Sequence, residues 1–114
     1  MVTVYVEGQA TQADDLTCDP FPWETEIPMV LRVRWRLGDA PLFDGSMVPL
    51  LFEFAGRHYE GRFRLVARIE HSPGEIVCTF VSEEPVREIT EPSWISRVQR
   101  IFKCNLGRDK NVKY

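Results

Sequence analysis

Apolar and polar side chains alternate along most of this chain, and the alternation is sharpest from Met29 to Leu37, MVLRVRWRL. Leu31, Val33, Trp35 and Leu37 take every second place, with Arg32, Arg34 and Arg36 between them. Successive side chains of a strand point to opposite faces. This stretch therefore predicts a strand with one wall in a core and one wall of guanidinium groups. Val2–Val6 (VTVYV) alternates in the same way and predicts a first strand ended by Gly8. Leu50–Ala55 (LLFEFA) places Leu50, Phe52 and Phe54 on one face, and Gly56–Arg57 reads as a two-residue turn. His58–His71 predicts a long strand with Tyr59, Gly61, Phe63, Leu65, Ala67 and Ile69 on one face. Arg62, Arg64, Val66, Arg68 and Glu70 fall on the other, and Gly61 marks a candidate bulge. Ser72–Glu75 is a turn, and Ile76–Ser82 (IVCTFVS) is apolar on both faces, as expected of a strand deep in a sheet.

The pattern breaks in three places. Residues 9–28 carry Pro20, Pro22 and Pro28, which supply no backbone donor, yet Phe21, Trp23 and Ile27 are too apolar for a solvated linker. The expectation is an extended arm, with Phe21 and Trp23 either folded over their own domain or inserted into a neighbour. Residues 38–49 are turn chemistry (Gly38, Pro41, Asp44–Gly45, Pro49) and predict a protruding loop tipped by Leu42 and Phe43. After an acidic connection at 83–92 the period changes to that of a helix, with Trp94, Ile95, Val98, Ile101 and Phe102 on one face, followed by a basic tail at 108–114. The fold expected for 1–114 is a single mainly β domain: a small antiparallel β-barrel or β-sandwich with one C-terminal α-helix.

Charge adds a layout. The net charge of −3 hides segregation: residues 1–28 hold six acids and no Lys or Arg, whereas residues 97–114 hold six basic residues and one acid. Such a chain can attract copies of itself head to tail or fold its own ends together. The 44% hydrophobic and 27% charged shares are those of a globular protein. No run of about 18 apolar residues exists to span a membrane, and the first residues lack the features of a secretory signal. Cytoplasmic synthesis is expected. Cys18, Cys78 and Cys104 are odd in number and widely spaced, which favours reduced thiols.

Candidate chemistry is sparse. No CxxC, HExxH, GxSxG or phosphate-binding loop occurs. His58 and His71 bracket one strand and lie about 40 Å apart if it is straight, too far to share a substrate. The expectation is no catalytic residue, no cofactor and no metal site. Arginine outnumbers lysine 11 to 3, and Arg32, Arg34, Arg36, Arg62, Arg64 and Arg68 fall on outward strand faces. A basic stripe on a barrel suits oligonucleotides. Against that stand 17 acids, and Trp35 and Phe63 on the opposite face from the arginines. Arginine's planar fork suits a protein's carboxylates as well. Arg32 to Arg36 also resembles the RxxxR motif of PilZ domains, and Asp44–Gly45–Ser46 begins their second motif, but Pro49 stands where that motif ends in glycine and the arginines lie inside a strand.

The segment FEFAGRHYEGRFRLVARIEHSPGEIVCTFVSEEP resembles the long hairpin of small β-rich phage tail and virion assembly proteins. The resemblance implies a non-enzymatic structural or assembly subunit, destined for the virion. It would work through protein–protein contacts with copies of itself or other subunits. The contacts implied are the arm with Phe21 and Trp23, the 38–49 loop with Leu42 and Phe43, and the charged termini. A soluble inhibitor or adaptor of one host protein is the alternative from another class, and a single-stranded nucleic-acid-binding barrel the third.

Overall fold

A computed structural model describes residues 1–42 and 47–90. The eight strands of this part are β1 (Val2–Val6), β2 (Gln9–Ala13), β3 (Asp15–Asp19), β4 (Met29–Arg36), β5 (Met47–Phe54), β6 (Arg57–Ser72), β7 (Glu75–Ser82) and β8 (Arg87–Ile89). They form one antiparallel sheet in the order β2-β1-β5-β6-β7-β4-β3, with β8 added to β6. Phe43, the helix expected around Trp94–Phe102, Cys104 and the tail at 108–114 lie outside the described residues.

The sheet replaces the barrel or sandwich expected from the pattern. Its two end strands, β2 and β3, are consecutive in the chain with only Asp14 between them. β2 pairs with β1, β3 pairs with β4, and the Asp14 N–H donates to the Arg34 carbonyl at 2.7 Å. One bent segment therefore serves both ends, and the sheet must curl to bring them together. The ladder does not close into a barrel, because β3 has no partner on its second edge among the described residues.

Curling lets one sheet bury its own inner face. Met29, Leu31, Val33 and Trp35 of β4 meet Val4, Val48, Phe52, Tyr59, Phe63, Cys78 and Phe80 in one core. Trp35 and Phe63 each meet Phe80 edge-to-face, at centroid separations of 6.5 and 6.4 Å. That arrangement sets the positive rim of one ring against the negative face of the next. The apolar wall read from Met29–Arg36 is thus the core, except that Leu37 falls just past the strand and is half exposed. β7 is paired along both edges, by β4 and β6; Ile76, Cys78 and Phe80 are buried on its inner face, while Val77, Thr79 and Val81 on the outer face are half-buried.

Three local features depart from the simple alternation. Residues 9–19 are strands rather than part of an arm; the prolines that suggested irregularity all follow Asp19. β6 shifts register not at Gly61 but at two later places, between Leu65 and Ala67 and again between Glu70 and Ser72. The extra residue at the first, Val66, reverses the facing as far as Glu70, so Arg68 opposes the buried Cys78 while Ile69 turns outward and is 60% exposed. Gly61 has another reason to be glycine: a Cβ there would lie 2.8 Å from Val86 Cγ1, which occupies that space in the core.

Candidate protein-binding site

Among the described residues, the irregular segment 20–28 leaves the most aromatic surface in solvent. It contains one short 3-10 turn, Pro22–Glu24. The Glu24 carboxylate accepts a hydrogen bond from the Phe21 N–H at 2.7 Å, and the Glu24 N–H donates to the Phe21 carbonyl at 3.0 Å. These two bonds close the turn on itself. Pro22 is buried beneath it, and Phe21 and Trp23 flank it outside. Their rings stack at 4.9 Å and 18°, and both lean on Phe54 at the end of β5, at 6.0 and 5.8 Å. Phe21 is nevertheless 47% exposed and Trp23 46%. Ile27, on the same segment, is also half exposed. The two aromatics thus lie against their own domain and still present a ledge. A stacked pair contributes about 0.5–1.5 kcal/mol beyond its buried area, enough to hold the shape of the ledge without burying it.

The arginines do not form one stripe. Arg32, Arg34 and Arg36 stand on the outer face of β4, and Arg62 and Arg64 on that of β6. β7 lies between these strands and sets Val77, Thr79 and Val81 between the two rows. Arg34 lies 3.8 Å from Glu75, Arg36 3.9 Å from Asp14, and Arg64 3.6 Å from Glu83. Such solvent-facing pairs each contribute roughly 0–1 kcal/mol. Arg68 leaves the row altogether: the bulge turns it to the other face, where its guanidinium donates to the Pro41 carbonyl at 2.8 Å. Its role in the structure is to hold the 38–42 loop against β6. Leu42, in that loop, is 87% exposed.

Two grooves flank these elements. One, of about 520 Å³, lies over β5, β6 and the turn before β8, with Tyr5, Pro49, Leu51, Arg62 and Pro85 in its walls. The second, of about 510 Å³, opens where β1 leaves β5; Val2, Leu16, Glu53, Phe54 and His58 line it. Phe54 joins this second groove to the aromatic ledge. Its position at the end of an apolar strand face concealed that role in the sequence, since every second residue of β5 reads as core.

Burial disfavours the ionised forms of the buried thiols and phenol. Burial pushes the Cys18 thiol up to about 12. It also raises Cys78, against the smaller lowering effect of the Arg68 guanidinium beside it. Tyr59 is raised as well, mainly by burial. Both cysteines are free and act as small apolar groups of the core. Among the described residues, no group of three or more His, Cys, Asp or Glu is arranged to hold a metal ion, and no helix is long and apolar enough to cross a membrane.

Comparison with protein-family models, curated proteins and solved structures returns no match.

Proposed function

We propose that this chain is a non-enzymatic assembly subunit, of the kind that builds phage tails and virions, working through contacts with copies of itself or with other subunits. The observation that carries this reading is the aromatic ledge. Phe21 and Trp23 are fixed by a closed turn and anchored by buried Pro22, yet half of each ring faces solvent. Large aromatics on a rigid support are the groups that dominate protein interfaces, because they desolvate much area at little conformational cost. The arginine rows on the outer face provide a second contact surface suited to carboxylates.

Light scattering coupled to size exclusion, over a concentration series, tests the proposal. The expected result is association that grows with concentration and is lost in Trp23→Ala, with the melting temperature of the variant little changed. A chain that stays monomeric at high concentration overturns self-assembly. A variant that loses melting temperature more than association makes Trp23 a core residue.

A further inference from the structure

We propose that the groove between β1 and β5, continued along the edge of β3 that no described strand pairs, accepts an extended basic segment of a partner protein as an additional strand. This deepens the assembly reading above and rests on it, since it names what docks beside the ledge.

The first support is the sheet's own bookkeeping of pairs. β3 is hydrogen-bonded to β4 on one side and, among the described residues, to nothing on the other. An unpaired edge offers a row of backbone donors and acceptors that a further strand satisfies. The second is space. β1 pairs with β5 only at Val4–Val6, against Leu50–Phe52, and then diverges. Val2 opposes Ala13 of β2 instead, leaving Glu53 and Phe54 without a β1 neighbour. The groove of about 510 Å³ occupies this divergence, with Leu16 of β3 in its wall. A strand laid there meets the β3 edge on one side and the end of β5 on the other.

The third is charge. Asp15 and Asp19 are exposed on β3, and Glu53 stands at the rim beside His58 at 3.2 Å. Across the β3–β4 ladder Asp15 faces Arg34, which also reaches Glu75; Arg32 faces Thr17, diagonal to both aspartates, and Asp19 faces Val30, with no cation directly opposite it. Residues 1–28 as a whole hold six acids and no Lys or Arg. Two copies joined edge to edge in full register through β3 would set aspartate against aspartate, whether the strands ran parallel or antiparallel. Like charges directly opposite oppose pairing. The edge thus rejects itself and favours a strand with Lys or Arg at outward positions and apolar residues turned toward Leu16 and Phe54. The ledge of Phe21 and Trp23 begins two residues past β3 and takes the apolar or aromatic end of the same segment.

An alternating Lys-Val octapeptide serves as the probe, with the full chain in low salt. Binding is read by isothermal titration, and its place by amide hydrogen exchange. The expected result is new protection at residues 15–19 and 53–54. Asp15→Lys/Asp19→Lys should weaken binding about tenfold, as expected for reversing two cross-strand charge pairs. N-methylation of alternate peptide nitrogens should abolish the protection while keeping the peptide's charge. Binding that survives N-methylation, or protection confined to other strands, overturns strand addition. Association of the chain lost in Trp23→Ala, together with peptide binding untouched by the aspartate reversal, leaves the ledge standing and removes the β3 edge. Association untouched by either variant removes the assembly reading too.

Discussion

Two tryptophans of this chain sit at opposite extremes. Trp35 is fully buried on the inner face of β4, and its indole N–H donates to Thr11 Oγ1 at 3.1 Å. Trp23 stacks on Phe21 with nearly half of its surface in solvent. The same side chain closes the core in one place and forms a ledge in the other. What differs is the backbone beneath. Trp35 belongs to a strand paired on both edges, so its direction is set by the pleat and the curl of the sheet. Trp23 belongs to a turn closed by its own two hydrogen bonds, which presents the ring outward at no expense to the core. Stability and the proposed contact surface are thus separated in the chain.

That separation can be broken by mutation. The largest effect is expected for Trp35→Ala, which leaves a cavity in the core and removes one of the two hydrogen bonds of the Thr11 hydroxyl, the other going to the Val4 carbonyl; about 3–5 kcal/mol of stability should be lost in denaturant titration. A loss near that for Trp23→Ala would erase the contrast between the two. Gly61→Ala comes next. The added methyl meets Val86 Cγ1 at 2.8 Å and Phe63 Cε1 at 3.0 Å, so about 1–3 kcal/mol should be lost by overpacking. An unchanged denaturation midpoint would mean that Val86 yields easily and that the break between β7 and β8 is soft. Trp23→Ala should cost under about 1.5 kcal/mol, the worth of the aromatic stack, while removing association. Arg64→Ala should change stability by no more than about 0.5 kcal/mol, since its partner Glu83 is 74% exposed.

Alkaline pH probes the core from another side. The folded Cys18 thiol holds its proton up to about 12, whereas an unfolded thiol releases it near 9. Between those values the native state binds more protons than the unfolded one, so stability declines as pH rises. Thermal melts from pH 8 upward should show that decline, and Cys18→Val should flatten it. A decline of equal slope in the variant would assign it to other groups, Tyr59 among them.

Much of the sheet was legible in the chain. β1, β4 and β7 follow the alternation closely, and β6 does so as far as Leu65, because each buries one face and burial imposes the period. β2 and β3 were hidden for a physical reason. QATQA has one buried residue, Ala13, and DLTCD two, Leu16 and Cys18, so their apolar signal is thin beside the three prolines that follow. The bulge at Val66 was illegible: nothing in RLVAR distinguishes an inserted residue from the next step of the ladder, and only pairing with β7 reveals it. The candidate site was half legible. Phe21 and Trp23 stand out as apolar residues among prolines, but Phe54, the edge of β3 that no described strand pairs and the removal of Arg68 from the arginine row depend on neighbours far away in sequence.

By itself, then, the sequence determined a mainly β chain, the core wall of Leu31, Val33 and Trp35, and a surface rich in segregated charge. These follow from local periodicity and residue chemistry, which need no partner to be read. Tertiary structure alone decided that, among the described residues, the sheet curls through one shared segment without closing and β3 keeps an unpaired edge, and that two aromatics rest on Phe54 rather than sink into the core. Each is a matter of which strands meet, and that is settled by long-range pairing, not by any window of the chain.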